Sequence, residues 1–149
     1  MTRRSTIHAA AFTIALVLAV LPALSSFGQD GYRIVVHPDV TDNSLTRGEV
    51  SDLFLKKKVE WANGTTVRPV VLKEKTIEDA FCNDVIGRSS IAVKKYWQRQ
   101  IFTGRGTPPE EKLKDEEILS FVSKTPGAIG FVSPRASTAQ SQVKILQLR

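Results

Sequence analysis

Side chains suited to holding an anion gather where an apolar run, Val67-Arg68-Pro69-Val70-Val71-Leu72, gives way to Lys73-Glu74-Lys75 and a helix start at Thr76. A strand feeding a helix is half of a βαβ unit, and ligands of α/β domains sit where such strands end. The first N–H groups of a helix are unpaired and carry the positive end of its dipole. Lys73, Lys75 and Thr76 are therefore the leading candidates for binding an anionic solute, with Ser44 from the first loop and Arg105 as additions. Arg105 stands between Gly104 and Gly106, a spacing that either curls N–H groups into an anion nest or simply turns the chain ahead of Pro108-Pro109. Glu74, Glu78 and Asp79 crowd the same helix start and oppose an incoming anion.

Catalytic chemistry is poorly supplied. Beyond residue 27 the chain has one histidine, His37, and one cysteine, Cys82, and it lacks HExxH, CxxC, Walker and GxSxG patterns. No enzyme activity, metal or cofactor is expected. Asp39 and Asp42 are acidic loop residues that nothing isolates as a pair, and His37 precedes a proline at a strand end. Cys82 falls in the apolar-periodic part of a helix, where a small buried residue is the simpler reading than a reactive thiol. Asn63-Gly64-Thr65 matches a glycosylation triplet, but Asn-Gly is also what a tight turn requires.

The first 27 residues read as a secretory signal: Arg3 and Arg4, an apolar stretch over residues 7–21, Pro22, and small residues Ala23 and Ser25. The stretch is short for a membrane span, so no stable span is expected once it is removed, and the folding unit is residues 28–149, periplasmic or otherwise exported. About 120 residues suit one domain with one modest core. Removing Arg3 and Arg4 lowers the net charge from +6 to +4, a mildly basic surface that favours anionic partners in general. Nucleic acid is not an expected partner, because exposed aromatics do not interleave with the basic residues. The run Lys56-Lys57-Lys58 reads as a solvated helix end.

The positioning elements follow from periodicity and punctuation. Residues 33–37 read as a strand stopped by Pro38, and residues 39–44 as a polar turn. Thr46 and Glu49 have capping-box spacing ahead of a helix that buries Val50, Leu53 and Phe54. Asn63-Gly64 returns the chain into the strand over residues 67–72. The helix from Thr76 buries Ile77, Ala80, Phe81 and Val85 and stops at Gly87. A third helix after Ser89-Ser90 is expected to bury Ile91 or Val93 with Trp97 and Ile101, leaving Lys94, Lys95 and Arg99 outward. A fourth starts near Asp115 and ends at Thr125-Pro126-Gly127, and strands over residues 128–132 and 143–148 close the chain. The order predicts a small α/β sandwich with a mixed sheet of about four strands flanked by helices.

These residues carry a family resemblance. Ser44-Leu45-Thr46-Arg47 with Glu49, and Leu53-Phe54-Leu55-Lys56 with Trp61 and Gly64, resemble the central region of the phosphate-binding proteins of ABC importers. Tyr96-Trp97, Ile101-Phe102-Thr103-Gly104, Pro108-Pro109 and Pro126-Gly127-Ala128-Ile129-Gly130-Phe131-Val132 resemble short single-lobe members of that phosphate ABC transporter substrate-binding protein family. The resemblance implies one lobe of a type II periplasmic-binding-protein-like fold, with capture of a phosphate-like solute as the inherited expectation. Full-length relatives hold phosphate partly with an Arg and a Ser-Gly-Thr run; here those positions fall on Val71 and on Lys75, Thr76 and Ile77. Relatives also close two lobes over the solute, and this chain has one. A homodimer or an envelope protein partner would supply the missing wall, and the other reading is an envelope interaction module that has lost its ligand and docks through Lys94, Lys95 and Arg99.

Overall fold

The structure, a computed structural model, describes residues 31–149; the expected export signal over residues 1–27 lies outside them. One mixed sheet runs through the molecule in the order β2-β6-β1-β5-β3-β4. Its strands are β1 (Arg33–Val36), β2 (Ser44–Leu45), β3 (Arg68–Leu72), β4 (Glu110–Lys112), β5 (Ala128–Val132) and β6 (Lys144–Leu148). Strand β1 is antiparallel to both β5 and β6, with Arg33 opposite Val132 and Val35 opposite Ile145. The pairs β2/β6, β3/β5 and β3/β4 are parallel, so five of the six strands point the same way. Leu72 and Val132 stand on neighbouring strands of this sheet, as a single lobe requires.

Helices cover both faces. The first is α1 (Arg47–Phe54); α2 (Lys75–Phe81) runs on into a π-helical turn over Cys82–Ile86; α3 (Ser90–Phe102) and α4 (Asp115–Lys124) follow. Every residue of β5 is buried, which its unbroken apolar sequence dictates, and successive side chains go to opposite faces. Towards α4 the sheet offers Gly130, and Ile118 and Val70 approach so closely that a Cβ there would meet them at 2.9 and 2.8 Å. On the opposite face Phe131 stacks on Phe81 with centroids 4.1 Å apart, and Phe54 meets Phe81 edge-on at 4.7 Å. The buried set among the described residues is wholly apolar.

Several expectations need correction. The sheet has six strands rather than four, because Ser44-Leu45 and Glu110-Glu111-Lys112 pair at its two edges although they are too short and too polar to announce themselves. Helix α1 ends at Phe54, and the lysine run lies beyond it: Lys56 takes a φ of 53°, while the N–H groups of Lys57 and Lys58 both donate to Asp52 O. In α3 only Trp97 is buried, with Val93 partly so; Ile91 is 67 % exposed and Ile101 55 %. That helix meets the body along one narrow line, and Ile91 lies well round the helix from Trp97. Gly87, at a φ of 69°, ends the α2 segment as its sequence indicates.

Two ties fix the layers. Trp61 Nε1 donates to Gly127 O at 2.9 Å, locking the Asn63-Gly64 hairpin to the corner that starts β5. Asp84 on the π-helical turn accepts from Arg47 Nε on α1 at 3.0 Å and from the Tyr32 hydroxyl. The hydrogen bonds of Arg47 and Tyr32 hold its carboxyl below the ordinary 3.8.

Gly127 has a φ of 75° and a Cβ there would lie 2.2 Å from Thr66 O, whereas Gly64, at 80°, has open space. Gly127→Ala should therefore cost at least about 2 kcal/mol in urea unfolding, and Gly64→Ala only the left-handed backbone term of roughly 1 kcal/mol. The Asp84 contribution is fully present above pH 3.8 and fades as pH falls through its depressed pKa. Asp84→Asn is expected to lower stability at pH 7 by up to about 1 kcal/mol, the scale of a partly exposed pair, with the difference from the parent closing in strong acid.

Candidate functional site

With five strands parallel, β2, β3 and β4 all end at one edge of the sheet, and each hands over there to a helix: α1, α2 and α4. Three helix N-termini at the carboxyl edge of a parallel sheet are the usual place for an anion in such folds. Here each is already answered by a carboxylate of the chain itself. At α1, Thr46 Oγ1 accepts from Glu49 N at 3.2 Å, and Glu49 Oε2 accepts from Thr46 N at 2.8 Å. At α2, Glu74 accepts from Thr76 N at 3.3 Å and from Ile77 N at 2.9 Å. At α4, Glu117 Oε2 accepts from Leu113 N and Lys114 N, both at 3.1 Å. Asp115, the first residue of α4, accepts from Ser133 N at 2.8 Å and Ser133 Oγ at 2.5 Å, joining the end of β5 to that helix.

The cations at the α2 start are likewise engaged. Lys73 Nζ lies 2.6 Å from Glu78 Oε1 and 3.8 Å from Glu111 Oε1. Partial burial lowers the Lys73 pKa, but the hydrogen bond and charge of Glu78, aided by Glu111, outweigh it and carry the group above 10.5. Lys75 Nζ bonds Asp79 Oδ2 at 2.7 Å, and that hydrogen bond raises its pKa. Asp79, which also accepts from the Ser90 hydroxyl, is held below its ordinary value by Lys75 and Ser90. The charges of the cluster face one another.

The structure therefore brings Lys73, Lys75 and Thr76 together and leaves the other two candidates apart. Ser44 sits on the outer strand β2 opposite Gln147, with β6, β1 and β5 between it and β3. Arg105 follows α3 on the exposed surface, and the glycine-flanked turn around it is not an anion nest: Gly104 N donates to Ile101 O and Arg105 N to Gln100 O, closing the helix. His37 Nδ1 accepts from Asp39 N at 3.2 Å, a loop contact. Burial pushes the Cys82 thiol up to about 12, so it packs as an apolar side chain.

Sequence reasoning missed a hollow of about 280 Å³ beneath α3, walled by Val71, Cys82, Val93 and Trp97 over a floor of Phe81 and Phe131. Its parts come from six separate stretches, and the exposure of Ile101 that opens it has no local signature.

The fold has clear likenesses among solved structures. The chain superimposes on a protein assigned as a phosphate ABC transporter substrate-binding protein from Clostridium perfringens, solved with bound phosphate, at a TM-score of 0.59 and 18 % identity, over 80 % of this chain and 45 % of that one. A protein assigned as phosphate-binding from Planctomyces limnophilus gives 0.57 at 13 % identity, over 80 % of this chain and 42 % of that one. An ABC-type phosphate transport receptor from Vibrio cholerae gives 0.53 at 15 %, over 80 % and 46 %. The chain spans less than half the length of each. No family model and no curated protein matches it. Among the described residues no helix is long and apolar enough to cross a membrane. What the chain shares with these proteins is architecture: a six-strand mixed sheet with four helices, matching one lobe of the phosphate-binding-protein fold.

Proposed function

We propose that this protein is an exported, single-lobe oxyanion-binding-like domain that holds a phosphate-like solute weakly alone, and firmly only within an assembly that supplies the second wall. The observation that carries this reading is that a carboxylate of the chain stands at each of the three helix starts of the carboxyl edge: Glu74 accepts from Thr76 N and Ile77 N in the first turn of α2, and Glu49 and Glu117 accept from the capping N–H groups of Thr46 and Lys114. An arriving dianion must displace a carboxylate of its own sign, which offsets most of what the helix dipole and Lys73 or Lys75 would contribute. Tight capture in a clamp also depends on excluding water, and one lobe leaves the solute half-solvated. The likeness to structures of phosphate-binding proteins supports the class of solute, and a second wall would have to come from outside the described lobe. A second copy of the chain or another envelope protein fills that role.

A second reading has its own support. Helix α3 presents Ile91 and a 93 % exposed Phe102 beside Lys94, Lys95 and Arg99, the composition of a protein-docking face that works without any solute.

Melting curves in rising phosphate, at constant ionic strength and with light scattering alongside, separate the two. The monomer should gain less than about 1 °C at 10 mM phosphate, since mass action stabilises only in proportion to binding. Glu74→Gln keeps one acceptor oxygen, for Ile77 N, gives up the one on Thr76 N and removes the charge, and should enlarge the phosphate response. Micromolar binding by the unmodified monomer would overturn the self-occupied edge, and a flat response in both forms, monomeric or assembled, would leave the docking reading.

A further inference from the structure

The hollow beneath α3 lies on the aromatic face of the sheet. Helix α3 roofs this region without filling it: Val71 of β3 and Val93 of α3 are only partly buried, and Ile101 stands at the lip. Below them lies the Phe81 ring, stacked on Phe131, with the Trp97 ring forming a side wall. The Cys82 thiol on the inner wall stays protonated and adds no charge. The interior thus offers aromatic and aliphatic surface, which suits an apolar body and penalises a bare inorganic anion.

Four charged side chains line the mouth, Lys73, Lys94, Glu78 and Glu111, and their charges balance, but they are unevenly paired. Lys73, on one side, is matched by Glu78 at 2.6 Å and Glu111 at 3.8 Å. Lys94, on α3, lines the same opening and has no ion pair or hydrogen bond among the described residues. One unmatched ammonium above an apolar hollow is complementary to a molecule with one negative end and one greasy end.

We propose that this hollow binds a small amphiphilic carboxylate, its apolar body laid between Phe81 and Trp97 and its carboxylate on Lys94. Its size fixes the body: about 280 Å³ is roughly twice the ~150 Å³ that encloses one benzene ring. Two fused rings or a medium-length alkyl chain fit, and a bulky amphiphile does not. The site meets the phosphate reading only at Lys73, which lines both, and its argument uses neither Lys75 nor the N–H groups of Thr76 and Ile77.

The probe is 2-naphthoate, with neutral 2-naphthol as its uncharged counterpart, followed by tryptophan fluorescence and melting temperature at pH 7. Trp61 is bonded to Gly127 at the far hairpin, so the signal belongs to Trp97 and disappears in Trp97→Phe. Naphthoate should give a saturable change and raise the melting temperature. Lys94→Glu should weaken naphthoate about fivefold, the worth of a partly exposed ion pair, and leave naphthol unchanged. Val93→Phe, which fills the hollow, should abolish binding of both. Excess phosphate at matched ionic strength should not compete. The proposal is overturned by an unsaturable response, by equal naphthoate affinity in Lys94→Glu and the parent, or by phosphate competition. The surface change at Lys94 keeps the test decisive should Val93→Phe fail to fold.

Discussion

The face-to-face contact of Phe131 with Phe81 holds the α2 side of this protein to its sheet. Phe131 comes from the buried strand β5, Phe81 from the last residue of α2, and Phe54 and Tyr32 meet Phe81 edge-on at 4.7 and 5.3 Å. Three rings therefore converge on Phe81, each removing aromatic surface from water. Because α2 is only seven residues long, its own backbone bonds could not keep it ordered, and its direction is set by this anchor and by the π-helical turn that follows. The Asp84 bonds to Arg47 and Tyr32 then tie that turn to α1 and to the start of β1.

With the layers fixed, the electrostatics of the carboxyl edge follow. Each helix start along this edge carries the positive end of a dipole and would draw in a free anion. The chain instead meets them with Glu49, Glu74 and Glu117, and the same carboxylates cap the helices. The device stabilises the helix starts and opposes an incoming anion. Lys73 and Lys75, which look in the sequence like anion-binding cations, are held against Glu78 and Asp79.

Local features were legible in the sequence where they depend on neighbours along the chain. The Thr46/Glu49 capping box, the Gly87 stop and the unbroken apolar run of β5 need only a few adjacent residues and appear where expected. Strands β2 and β4 were not legible, since Ser44-Leu45 and Glu110-Glu111-Lys112 are strands only by virtue of β6 and β3 beside them. The crowding of acids around Thr76 was visible, but not that Glu74 would turn back onto Thr76 N and Ile77 N. Periodicity placed Ile91 or Val93, with Ile101, inside because it assumes that a helix has a full-width floor to lie on; α3 has a narrow one, which takes Val93 in part and leaves Ile91 and Ile101 out.

The shape of the sheet's two borders limits how this protein can meet anything else. One border is two residues of β2, the other three charged residues of β4, and a parallel or antiparallel guest strand would find hardly any length along which to zip. Growth by sheet extension, the common route to fibres and to strand-exchanged assemblies, is closed off at both ends. Whatever companion this lobe acquires must approach its helical flanks or the rim of loops, where side chains rather than backbone ladders decide who is recognised.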